Sequence, residues 1–180
     1  MRFRLAAHLF SLSIALGLFG ISAHAEKADK DKPIALSSDK AQFDDVKQIY
    51  FLERNVLLIK GSLIIKGEKA EVKIDPEGYQ YVTIFAKPGQ LASLRQKRDT
   101  GLNDFIEGFA EWIEYDGKTE IAILHKQARM NQISGTRVTD QLNGDKIHYD
   151  GNTEKYNVVS NASVKSTLSP RRKELTGPSK

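Results

Sequence analysis

A ten-residue unit occurs twice in this chain. Glu111-Trp112-Ile113-Glu114-Tyr115-Asp116-Gly117-Lys118-Thr119-Glu120 returns 34 positions later (Ile113 to Ile147) as Asp145-Lys146-Ile147-His148-Tyr149-Asp150-Gly151-Asn152-Thr153-Glu154, with six positions identical. In each copy Ile and Tyr stand two apart, so on an extended chain they share one face while the residues between them take the other. Asp-Gly then reads as a tight turn, with Gly supplying a positive φ. Looser echoes lie upstream in Asp39-Lys40-Ala41-Gln42-Phe43-Asp44 and Glu68-Lys69-Ala70-Glu71-Val72. Four units of acid-x-apolar-x-apolar predict an all-β protein built by repetition, with successive units sharing one core.

The first 25 residues read as a signal peptide: Arg2 and Arg4, an apolar run from Leu5 to Ile21, then Ala23-His24-Ala25 as the cleavage site. Later segments fall short of the ~18 apolar residues that a membrane helix needs. The expected product is exported and begins at Glu26. Residues 26–32 form a charged leader, 33–165 the β domain, and 166–180 a basic disordered tail opening on Ser169-Pro170-Arg171-Arg172-Lys173. Without Arg2 and Arg4 the chain keeps 25 Lys and Arg against 23 Asp and Glu, a net +2. That balance lacks the one-sided footprint of a nucleic-acid binder. The chain has no cysteine, which excludes disulfides, thiol nucleophiles and thiolate metal sites.

Strand signals recur at short intervals: 34–38, 48–52, 55–60, 62–66, 68–75, 79–85, 104–116, 119–126, 137–142, 146–150 and 155–160, many separated by Gly or Pro-Glu-Gly. Over 79–85 the apolar alternation falls on Tyr79, Tyr81 and Phe85. Residues 87–103 form the longest stretch without strand character, with at most one helical turn over 90–97. The predicted inward set is Phe43, Val56, Leu58, Leu63, Ile65, Val72, Ile113, Tyr115, Ile147 and Tyr149. Leu57, Ile59 and Ile64 are apolar on the opposite parity, so either both faces pack or the register differs. Trp112 faces outward if Ile113 faces in, and is either packed under the 87–103 segment or an interface anchor.

Catalytic patterns are weak. Only His125 and His148 outlast cleavage, and no helix sets them four apart to hold a metal. The chain carries no nucleophile elbow and no phosphate-binding glycine loop, so no cofactor is implied. Glu114, Asp116 and Glu120 share a parity opposite Ile113 and read as a solvated strand face; a polysaccharide-active enzyme using Glu114 and Asp116 is the rival. Lys87, Arg95, Lys97 and Arg98 read as a solvated loop or as a holder of anionic lipid phosphates.

Several short motifs occur in a particular order: Pro33-Ile34 with Ser38-Asp39, Asn55-Val56 followed by Gly61-Ser62, Lys87-Pro88, Glu107-Gly108 ahead of Tyr115, and Gly144-Asp145-Lys146-Ile147 with Tyr149. In that order, spanning about residues 33 to 160, the chain resembles the periplasmic OstA-like family. Residues 89–103 depart from the family pattern. The resemblance implies a twisted, open antiparallel β-jellyroll with a slot-like apolar interior, and a lipopolysaccharide carrier in place of an enzyme. It implies head-to-tail stacking of copies, with partners of the same fold at the inner membrane and in the outer-membrane translocon, and energy from an inner-membrane ATPase complex. A periplasmic module for another envelope lipid or glycan is the alternative. On this reading the inward set lines the lipid groove, joined at its rim by Ile34, Leu36 and Leu91; taken singly, each residue of the set fits a self-filled core better than a lipid contact. The first strand from Pro33 and the last from Lys155 are the edges open to strand addition, unless Pro33 and the basic tail protect them.

Overall fold

The computed structural model describes residues 32–170, so the expected signal peptide, most of the leader and residues 171–180 lie outside the described residues. The described chain forms twelve antiparallel strands: β1 (Ile34–Ser37), β2 (Lys40–Asp44), β3 (Ile49–Lys60), β4 (Leu63–Ile74), β5 (Gln80–Phe85), β6 (Ala92–Lys97), β7 (Asp104–Ala110), β8 (Trp112–Asp116), β9 (Ile121–Ser134), β10 (Arg137–Asp150), β11 (Lys155–Val159) and β12 (Lys165–Leu168). The expected all-β jellyroll is what forms. The β12 strand runs three residues past the boundary expected at 165, anchored where the Ser169 amide donates to the Thr139 carbonyl at 2.9 Å.

Four long strands organise the molecule. β3, β4, β9 and β10 each bend once, so each serves two leaves. Leaf 1 runs β2-β3-β4-β5-β8-β9-β10-β11, using residues 49–53, 69–74, 121–125 and 146–150 of the long strands. Leaf 2 runs β1-β3-β4-β6-β7-β9-β10-β12, using residues 56–60, 63–66, 129–134 and 137–143. At the bends β3 takes left-handed backbone at Arg54 (φ 63°) and Asn55 (φ 52°), and β9 at Lys126 (φ 58°) and Gln127 (φ 49°). Such residues break the ladder, and the register slips there in both β3 and β10. Because the bend interrupts the alternation, each of β3 and β10 reads in sequence as two strands. Gly67 lies inside β4, at its own bend, and is not the break that the sequence suggests.

The leaves face each other across one core, with inward side chains from both in a single buried cluster. Inward parity follows the expectation on most strands, and Leu57, Ile59 and Ile64 lie on the outer face, partly to well exposed. Two segments differ. Over 80–85 the inward residues are Val82 and Ile84, while Tyr81 and Phe85 are outside; the aromatic rings mimic a core stripe but stand on the wet parity. Residues 92–97 form β6, with Ala92, Leu94 and Gln96 inward and Arg95 outward. Its polar outer residues hide a two-residue period.

The duplicated unit also turns differently from expectation. Gly117 and Gly151 are not the positive-φ residues; Glu120 (φ 58°) and Glu154 (φ 52°) are, as is Gln48 (φ 55°) after Asp44. The leading acid folds back on the turn: Asp116 Oδ1 accepts the amides of Lys118 (2.8 Å) and Thr119 (3.1 Å), and Asp150 Oδ1 those of Asn152 (2.9 Å) and Thr153 (3.2 Å). The glycines allow close approach. Gly117 donates its amide to the Gln80 carbonyl at 2.8 Å, and a Cβ there would lie 2.8 Å from that same oxygen. Thr153 Oγ1 donates to Asp150 Oδ2 at 2.7 Å, and this bond is the largest cause holding the Asp150 carboxyl below its ordinary value of 3.8, against an opposing contribution from burial. A carboxyl lowered in the folded state stabilises the fold above the unfolded pKa and loses that contribution as pH falls through the folded one. Asp150→Ala is therefore expected to lower stability at neutral pH by about 1 kcal/mol and to flatten the acid side of the stability profile, as read by urea denaturation between pH 7 and 3.

Candidate functional site

The space between the leaves is built as continuous rows, because residues paired across antiparallel strands share a face. In leaf 1 one row runs Phe43, Tyr50, Val72, Val82, Tyr115, Ala122, Tyr149, Tyr156, and the next Ala41, Leu52, Ala70, Ile84, Ile113, Leu124, Ile147, Val158. Both cross all eight strands, roughly 34 Å at ~4.8 Å per strand. In leaf 2 a facing row runs Leu36, Leu58, Ile65, Leu94, Gly108, Met130, Leu142 and ends at Ser166. The two units of the sequence repeat are thus two ribs of one lining, Ile113 and Ile147 in one row, Tyr115 and Tyr149 in the other.

The rows are closed in the middle and uncovered at both ends. Val56, Leu58, Leu63, Ile65, Val72, Ile113, Tyr115, Ile147 and Tyr149 are 0–6% exposed. At one end Ile34 and Leu36 are half-buried against the core on β1. Phe43 points to the interior side, since it pairs with the inward Tyr50 and stacks on it at 4.1 Å, but it is 41% exposed. The expectation of a buried Phe43 fails because β2 is an edge strand with nothing beyond it. At the other end Tyr149 stacks on Tyr156 at 5.1 Å, and Val158 and Leu142 are half-buried.

Towards the free ends of the leaves, leaf 2 becomes polar: Lys60, Gln96, Gln132 and Asp140 lie on its inward parity beside Ile106 and Leu63. An apolar trough with a polar lip suits an amphiphile, whose chains need shelter and whose head needs water. Leu91 is not part of this lining. It sits in the β5–β6 loop on the bend side, in a cleft with Phe85, Pro88 and Trp112. Trp112 packs there under the loop, stacked on His125 at 4.8 Å with the Lys126 amine 5.3 Å from its ring. The four cations expected to gather on one loop are dispersed: Lys87 is in the β5–β6 loop, Arg95 pairs with Glu107 on the outer face of leaf 2, Lys97 is also on β6, and Arg98 pairs with Glu154 at the lip. Glu114 Oε2 accepts from His125 Nε2 at 3.0 Å on the outer face of leaf 1, the solvated side.

Sequence reasoning missed Val82, Ile84, Ala92, Leu94, Ile106, Leu124 and Met130, all buried in the lining. Ala92-x-Leu94 carried the needed period; Ser93 between them and the cations Arg95 and Lys97 after them masked it.

Residues 35–155 match the family described as LptA/(LptD N-terminal domain) LPS transport protein. Lipopolysaccharide export system protein LptA of Haemophilus influenzae is 27% identical over 147 residues, covering 82% of this chain and 80% of that protein. Lipopolysaccharide export system protein LptH of Pseudomonas aeruginosa is 26% identical over 164 residues, covering 91% and 87%. The crystal structure of that LptH, described as the LptA-homologous periplasmic component of the conserved lipopolysaccharide transport device, has the same fold, with a TM-score of 0.69 at 22% identity over 79% of this chain and 99% of that chain.

Proposed function

The chain belongs to the LptA/(LptD N-terminal domain) LPS transport protein family, and on that premise we propose that it carries lipopolysaccharide through the periplasm with the acyl chains held between its two leaves. The observation that carries this reading is the pair of apolar rows that cross all eight strands of leaf 1 and reach both edges. Each buried CH₂ is worth roughly 0.8 kcal/mol, so one chain of about a dozen carbons represents on the order of 10 kcal/mol of shelter. A carrier supplies that shelter by shape alone, with no acid, base or metal, and the protein is not an enzyme. Cleavage after Ala25 releases it to the periplasm.

Handover needs open ends. β1 and β2 end the two leaves on one side, and β11 and β12 on the other. These unlike edges offer unpaired backbone groups to strand addition, so copies join head to tail and the rows of one continue into the next. The same join suits an inner-membrane export component of this fold upstream and the outer-membrane translocon's N-terminal domain downstream.

Photocrosslinking tests the cargo. A benzophenone side chain replacing Tyr115 or Leu63, both inward, is expected to capture lipopolysaccharide in cells, and one replacing Ile123, on the outer parity beside Glu114 and His148, is not. Adducts only with other envelope lipids from the inward positions would overturn the cargo assignment.

A further inference from the structure

The leaves diverge from the bends and are tied together again at the lip. Arg98, just past the end of β6 on leaf 2, pairs with Glu154, the left-handed residue that closes the β10–β11 turn of leaf 1; its Nε donates to Glu154 Oε2 at 3.1 Å. A second guanidinium nitrogen donates to Gln132 Oε1 at 3.1 Å, which fixes Arg98 on its own leaf. Further along the lip, Lys60 at the end of β3 donates Nζ to the Gly117 carbonyl of the β8–β9 turn at 3.3 Å, and lies 5.9 Å from the Tyr115 ring. Both ties land on the repeated unit, Gly117 in one copy and Glu154 in the other. Behind them the lining of the middle strands is almost wholly solvent-excluded, so acyl chains reach it through the lip only when the leaves part.

We propose that the Arg98–Glu154 pair, with Lys60 on Gly117, is a latch across the lip, and that its opening sets how fast lipid enters the interior. The proposal rests on the carrier reading above and assigns residues to its loading step. Ionic ties suit a latch. The two side chains retain 17% and 21% exposure, so water and salt reach them and the pair can break and re-form. An apolar seam of equal area would lack that response to salt.

The test uses the mature chain and lipid A bearing a fluorescent acyl chain, delivered from micelles in a stopped-flow instrument. Glu154→Gln and Arg98→Gln are each expected to load about tenfold faster than wild type, as a weakened closed state predicts. The exchange Arg98→Glu with Glu154→Arg restores slow loading, because it rebuilds the tie with the charges reversed. Raising salt speeds wild type and leaves Glu154→Gln unchanged. Trp112 fluorescence reports whether each variant is folded, and the exchange variant separates loss of the latch from loss of the fold. If all variants load at one common rate, or if the exchange stays fast, the latch is overturned while the carrier reading stands. If wild type and variants alike take up no lipid A, the carrier reading fails and the latch with it.

Discussion

Ile113→Asp is expected to unfold the domain. Ile113 is fully buried in the middle of a row, paired with Ile84 on β5 and Leu124 on β9, both equally buried. The substitution removes a side chain whose burial is worth roughly 3 kcal/mol and puts a carboxylate where no donor waits. An uncompensated buried charge adds about 3–5 kcal/mol. The sum is of the order of the whole stability of a domain this size, about 5–15 kcal/mol. Ile123→Asp, on the neighbouring strand but facing out, costs within about 1 kcal/mol. Urea denaturation followed by circular dichroism compares the two. A folded Ile113→Asp with a midpoint near wild type would mean that the two leaves do not share a sealed core.

That contrast tests what the sequence made legible. Parity in the repeated unit was readable because Ile-x-Tyr alternates cleanly beside acids, and the same alternation placed Val56 to Ile65 and Val72. It misled where size overrode position. Tyr79, Tyr81 and Phe85 looked like a core stripe, yet Tyr81 and Phe85 stand exposed on an outer face. It was silent where inward residues were small or polar, as in Ala92 and Gln96 of β6. The bends were invisible for a different reason. Arg54, Lys126 and Gln127 carry no left-handed preference and Asn55 only a mild one, so packing is what imposes two successive left-handed residues there. The Arg98–Glu154 tie joins positions 56 residues apart, a separation no local pattern reports.

Gly144→Val is expected to cost about 3 kcal/mol, the upper range for forcing carbon into a packed site. A Cβ at Gly144 would lie 2.6 Å from Val158 Cγ1 and 2.9 Å from the Val159 carbonyl oxygen. The side chain can yield, but the carbonyl belongs to the strand beside the bend and moves only if β11 moves. Gly67 stands in the same relation to the other long hairpin, 2.7 Å from both Ile84 Cγ1 and the Phe85 carbonyl oxygen. One glycine thus sits at the bend of each hairpin, across from the paired left-handed residues of its partner strand. Gly135→Ala supplies the contrast: its φ of 64° favours glycine, but no atom lies within 4 Å of the new Cβ, so the cost is about 1 kcal/mol of backbone strain alone. The two effects separate in chemical denaturation. They separate again in loading, because displacing β11 at the bend also displaces the β10–β11 turn that carries Glu154, and folded Gly144→Val molecules should admit lipid A faster than Gly135→Ala. A Gly144→Val protein as stable as wild type would show that β11 slides freely and that backbone contact does not set the angle between the leaves.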